Sequence, residues 1–209
     1  MNKKAQFFPL KDENPRKRFP FVNLLLIVIN IAVFIISLSA FEQFIGAYGF
    51  TPVKFSILTL FTSMFLHGGI SHIFGNMWFL YIFGDNVEDR FGRFNYFIFY
   101  ILSGITASAL HFLLNIGSDI PAVGASGAIS GVLGAYLVLF PHVKVYVTGA
   151  FYHVGKVSAW FMLGIWFLFQ LVSGAFSLFG AQSGIAFFAH IGGFVFGVVF
   201  AIIYKLFSK

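Results

Sequence analysis

Six apolar stretches constrain this chain more than anything else in it: residues 21–40, 72–87, 94–114, 125–140, 157–179 and 185–207. About 20 helical residues cross a hydrocarbon layer about 30 Å thick. Most of these stretches reach that length, while the second and fourth are short and polar at one end. In lipid a helix satisfies its own backbone groups, so each stretch is read as a helix. Charged residues make up only 10% of the 209, against about 25% in a soluble domain. The 32 Phe and 22 Gly fit closely packed membrane helices. The expected fold is an all-α membrane protein, a six-transmembrane-helix bundle with a short fourth helix. It occupies residues 20–207, behind a basic cytoplasmic tail at 1–19. That charged, proline-containing tail does not read as a cleavable signal peptide. It is read as a topology signal and a disordered segment. With no Cys, disulfides, a thiolate nucleophile and a Cys metal site are excluded.

Lys and Arg set the orientation. Twelve of the thirteen fall in the tail, in the loops after the second and fourth stretches, and at the C-terminus. Only Lys54 lies on the other side. Both termini are therefore expected in the cytoplasm. The same distribution excludes a nucleic-acid partner, because the basic residues line a membrane rim rather than forming one patch. Residues 41–70 are apolar but interrupted by Pro52 and Lys54, and read as a membrane-associated first external loop.

Polar side chains in such spans are costly and mark partners or cavities. Ser126 opens the fourth span and His190 lies about five residues into the sixth. His72 and Asn76 sit at the start of the second, one helical turn apart. All four fall at similar depth below the outer face. Gly127 lies beside the Ser126 stripe, and Gly193 and Gly197 follow His190 at helical spacing. Small residues let two helices approach closely in lipid, which would bring Ser126 toward His190. A serine hydroxyl becomes a nucleophile when a base takes its proton, and histidine suits that role near neutral pH. Asn76, His72 and backbone N–H groups at a helix start can donate to an oxyanion. None of the seven acidic residues lies in a span at the outer side, so a catalytic site here is a Ser–His dyad.

These residues resemble the rhomboid intramembrane serine proteases over about residues 20–207. GASG at 124–127 is similar to the family's GxSG nucleophile motif, which implies Ser126 as nucleophile. AHIGGFVFG at 189–197 is similar to AHxxGxxxG, which implies His190 as general base. HIFGN at 72–76 is similar to HxxxN and implies oxyanion roles for His72 and Asn76. GDNVEDRFG at 84–92 is similar to GxxxExxxG and implies structural roles for Glu88 and Arg90 at the cytoplasmic end. Gly124 matches a position whose backbone helps line the oxyanion site. The resemblance implies endopeptidase cleavage of single-span membrane proteins near the outer membrane face of a prokaryotic plasma membrane, with no cofactor or metal. The match departs in two places. Four residues after the serine, where some members place an aromatic against the catalytic histidine, this chain has Ser130. Residues 41–70 hold neither the Trp nor the Arg that some members carry there.

Other readings stand beside these. Ser126 alone would be a small residue at a helix contact, and His72 would be structural if Asn76 and the backbone suffice for the oxyanion. His67 and His72 lack a third metal ligand. Gln170 reads as a helix–helix hydrogen bond rather than a substrate contact, and Trp78, Trp160 and Trp166 as lipid-facing or packing residues. The rival class is a helix-binding pseudoprotease or a transporter; no internal repeat of the transporter kind is present. The partners expected of a protease are membrane lipids and transmembrane substrates with helix-weakening small residues, because a helical backbone shields its carbonyls.

Overall fold

The computed structural model describes residues 8–148, 154–179 and 184–208. Lys3, Lys4, His153 and Lys209 lie outside the described residues. A short strand, β1 (Phe8–Asp12), precedes helix α1 (Phe21–Ser37). Two short helices follow, α2 (Phe41–Tyr48) and α3 (Ile57–Thr62), with 3-10 turns around them. Next come α4 (Ile70–Phe91), α5 (Arg93–Leu114) and α6 (Ser126–Leu139). Strands β2 (Lys144–Thr148) and β3 (Val154–Ser158) lead into α7 (Ala159–Leu178) and α8 (Phe187–Phe207).

A helix thus forms over each of the six apolar stretches. By length and composition four of the helical runs can cross a membrane: Phe21–Tyr48, α5, α7 and α8. A fifth is possible if Ile57–Phe65 and Ile70–Phe91, bent by 87° at their junction, are one span. At 14 residues, α6 is about 21 Å long, short against a hydrocarbon layer of about 30 Å, and is not a lipid-facing helix. It is instead the centre of the bundle, buried at every residue from 127 to 136 and enclosed by α4, α5 and α8. Around it the soluble-protein pattern is inverted. Ile35, Phe176 and Phe207 face outward, while Asn23, Asn30, Ser103, Ser130 and Gln170 are buried. Polar groups kept inside an apolar exterior are what a lipid-facing bundle requires. The protein is a multi-pass helical membrane protein.

The three spaced residues of GDNVEDRFG each have a physical job. A side chain on Gly84 would overlap the buried Asn23 amide. That amide donates to the Leu80 carbonyl at 3.0 Å and accepts from the Tyr96 hydroxyl at 2.7 Å, joining α1, α4 and α5. Glu88, 3% exposed, accepts the Val22 and Asn23 N–H groups at 3.1 and 2.7 Å. A carboxylate from α4 thus satisfies the orphan donors of α1 and meets the positive end of its dipole. Gly92, at φ +80°, makes the reversal from α4 into α5 in a conformation that other residues rarely adopt. Arg90 contributes its carbonyl, which accepts the Tyr204 hydroxyl at 2.7 Å and ties α8 to this end.

From residue 8 on, the tail differs from its reading as a disordered segment. β1, β2 and β3 form an antiparallel sheet in that order. Trp78 donates its ring N–H to the Pro9 carbonyl at 2.8 Å, and Phe8 stacks on the same ring. Lys156 pairs with Glu13 at 2.6 Å, and both Lys11 and Lys156 sit over the Tyr146 ring. Asp12 accepts from Asn86 Nδ2 at 2.9 Å and from the Tyr136 hydroxyl of α6. Burial lifts the Asp12 carboxyl from 3.8 to about 6, with the Tyr136 hydrogen bond opposing and Asp85 adding to the rise. A raised carboxyl favours the docked strand most while it is protonated. That stabilisation is complete below 3.8 and is lost as pH rises through about 6. The amides of residues 8 and 10–12 are therefore expected to show higher hydrogen-exchange protection factors at about pH 5 than at about pH 7.5. Asp12→Asn should remove the difference; equal protection at the two pH values in the wild type would rule out a contribution of protonated Asp12 to strand docking.

Candidate active site

Ser126 starts α6, and the chain leading to it is tied down. Phe50 and Ala122 exchange two backbone hydrogen bonds at 3.0 and 2.8 Å, and the Gly124 N–H donates to the Ser63 carbonyl at 2.9 Å. The strap before the serine is thus anchored to the 41–69 segment. No side chain caps α6, which leaves its first-turn N–H groups and positive dipole end facing whatever lies above Ser126.

His190 is in the first turn of α8. The approach of α8 to α6 is made by glycine against backbone. A Cβ on Gly193 would overlap the Gly127 carbonyl oxygen, and one on Gly197 would overlap that of Gly131. On α6 the contact stripe is Gly127, Gly131 and Gly134, beside the Ser126–Ser130 stripe. This contact places Ser126 Oγ 2.8 Å from His190 Nε2. The other ring nitrogen, Nδ1, lies 2.9 Å from Gln170 Oε1 of α7. Trp166, one turn before Gln170, lies 6.1 Å from the imidazole, ring centre to ring centre.

A second pair of side chains converges from α4. The Gly68 N–H donates to His72 Nδ1 at 3.3 Å. That bond puts the ring proton on Nε2, making it a donor. A Cβ on Gly124, whose φ is +130°, would stand 2.8 Å from His72 Nε2 and 3.6 Å from Asn76 Nδ2. The two donors therefore meet over the Gly124 backbone, where any side chain would block them. Asn76 is 9% exposed and its Nδ2 has no hydrogen-bond partner among the described residues. A buried donor left unpaired is costly unless something else pairs with it. Gly124 lines this corner by having no side chain. Its own N–H is not an available donor, because Ser63 already takes it.

Ser126, His190, His72, Asn76 and Trp166 line one cavity of about 550 Å³. Glu88 and Arg90 lie at the other end of α4 from His72, against the start of α1 and the end of α8. His67 packs edge-on to His72, with ring centres 5.2 Å apart. Chemically, the cavity offers an acceptor 2.8 Å from a hydroxyl, uncapped backbone N–H groups behind it and an unpaired amide donor beside it. Gln170 makes the helix–helix hydrogen bond read from the sequence, but that its partner is His190, and that Trp166 belongs to this site, was missed. The available signal was their spacing of one turn, with one amide side chain deep in an apolar span.

A family model described as the Rhomboid domain matches residues 54–207. RHOMBOID-like protein 1 of Arabidopsis thaliana is 28% identical over 238 aligned residues, covering 97% of this chain and 56% of the relative. Rhomboid protein 1, mitochondrial, of Saccharomyces cerevisiae is 31% identical over 185, covering 84% and 51%. Rhomboid protease GluP of Bacillus subtilis is 41% identical over 78, covering 37% and 15%. The chain spans about half the length of the first two of these relatives.

Proposed function

The chain belongs to the rhomboid family, and from that premise we propose that it is an intramembrane serine endopeptidase using Ser126 and His190. The observation that carries the proposal is the 2.8 Å approach of Ser126 Oγ to His190 Nε2 inside a cavity of a lipid-facing bundle. His190 Nε2 takes the hydroxyl proton as Ser126 Oγ bonds to the scissile carbonyl carbon. The oxyanion is held by the Ser126 N–H, Asn76 Nδ2 and His72 Nε2–H. The C–N bond then breaks, the amine leaving with the proton from His190. A water then gives its proton to His190 as its oxygen bonds to the acyl carbon, and His190 returns that proton to Ser126 Oγ as the ester C–O bond breaks.

The reading includes six spans with both termini cytoplasmic, in a prokaryotic plasma membrane, and a cavity open to the outside. Twelve of the thirteen Lys and Arg on one side support that orientation. Substrates are single-span membrane proteins cut near the outer face, at segments weakened by Gly, Pro or small residues. A stable helix would keep its carbonyls out of reach of Ser126. The apolar exterior is covered by lipid.

The direct test is labelling of the folded protein by a fluorescent fluorophosphonate. Wild type is expected to label at Ser126 and Ser126→Ala not to label. Folded wild type that stays unlabelled would favour a helix-binding protein without catalysis. A second expectation concerns the oxyanion corner. Asn76→Ala should lower kcat for a single-span reporter by about 10²- to 10³-fold, the usual loss for one oxyanion donor. KM should change little; a loss confined to KM would make Asn76 a binding residue instead.

A further inference from the structure

The dyad lacks two common supports for a catalytic imidazole. Among the described residues no carboxylate hydrogen-bonds His190, whose two ring nitrogens meet Ser126 and Gln170. On α6, the position four residues after the serine holds Ser130, whose hydroxyl donates back to the Ser126 carbonyl at 2.7 Å. It offers the ring neither a surface nor a hydrogen bond. What meets the ring comes from α7. Gln170 is 5% exposed, in the middle of an apolar helix. Its Oε1 is 2.9 Å from His190 Nδ1, while Trp166 flanks the same ring.

A neutral imidazole carries one N–H. With an amide oxygen at Nδ1, the proton belongs there, and Nε2 presents its lone pair to Ser126. That is the tautomer a general base needs. We propose that Gln170 is a positioning residue that holds His190 in the Nδ1–H form, performing from α7 the task an acidic third member performs in a triad. The inference rests on the protease reading above. It differs from a merely structural interhelix bond in one respect. A Gln170 that donated its NH₂ to Nδ1 would leave the proton on Nε2, facing Ser126 with a donor and no base. The accepting and donating roles respond oppositely to glutamate, whose carboxylate can only accept.

The test uses the full chain in detergent and in liposomes. It reads the fluorophosphonate labelling rate of Ser126 and the pH profile of reporter cleavage for wild type, Gln170→Leu and Gln170→Glu. Thermal unfolding is followed alongside. Gln170→Leu is expected to lower the labelling rate and kcat by about 10- to 100-fold, with KM little changed. Gln170→Glu should recover most of that loss. Its carboxylate favours the imidazolium, so the acidic limb of the pH profile should move to higher pH. Two results overturn the positioning role: Gln170→Leu labelling at the wild-type rate, or Gln170→Glu as slow as Gln170→Leu with an unmoved limb. If Gln170→Leu does not fold, the near-isosteric Gln170→Glu decides alone through the position of its acidic limb. Wild type that fails to label at Ser126 overturns the protease reading and this inference with it. Wild type that labels while both variants match it overturns only the inference.

Discussion

Replacing His190 with Ala is expected to reduce cleavage of a single-span reporter in liposomes by at least about 10³-fold, with Ser126→Ala doing the same. The reason lies in one contact. The Ser126 hydroxyl is a poor nucleophile without a base, and the sole base within reach among the described residues is His190 Nε2, at 2.8 Å. Substitution at either end removes the same step, so the double variant should be no slower than each single one. His190 also joins α6 to α7 through Ser126 and Gln170. His190→Ala therefore requires an unfolding midpoint beside the activity, while Ser126→Ala removes one hydroxyl and should leave the midpoint nearly unchanged. A folded His190→Ala that retains cleavage within tenfold of wild type would mean that another group takes the proton. Additive losses in the double variant would mean that the two residues do not act as a unit.

The apolar stretches located the helices closely, since a single continuous apolar segment of about 20 residues satisfies its own backbone in lipid as a helix. The expected 21–40, 125–140 and 185–207 correspond to Phe21–Ser37, Ser126–Leu139 and Phe187–Phe207. α4 was clipped: 72–87 was expected where Ile70–Phe91 forms. The apolar signal stops at the acidic turn, yet the helix continues through it. Asp85, Glu88 and Asp89 each have a partner there in Arg16, the α1 amides and the Lys17 N–H. β1 was illegible for another reason. Its partner strand lies more than 130 residues away, and the charged tail around it carries no local strand pattern. In the site, Ser126, His190, His72 and Asn76 stood out because polar groups at a common depth in apolar spans are rare. The bond from Gln170 to His190 did not, because it depends on how α7 and α8 are turned and shifted against each other.

Gly197→Ala should be among the most damaging single-methyl changes in the protein, costing about 3 kcal/mol or more. The added Cβ meets the Gly131 carbonyl oxygen with Gly131 C and Cα behind it, all backbone. A flexible side chain could swing aside; a helix backbone at this point has nowhere to go, because α6 is itself enclosed by α4 and α5. The two helices must separate, and Ser126 and His190 ride on them. Separation of even about 1 Å takes the Ser126–His190 pair out of hydrogen-bond range, so labelling should fall together with the unfolding midpoint. Gly193→Ala, against the Gly127 carbonyl, should behave alike. Gly164→Ala on α7 is the matched control, since a Cβ there has nothing within 4 Å. It should be neutral or stabilise by up to about 1 kcal/mol. Midpoints and labelling rates in one detergent separate these cases. Gly197→Ala that melts and labels like wild type would show that α6 and α8 are not in glycine-to-backbone contact, and the Ser126–His190 distance would then need another cause.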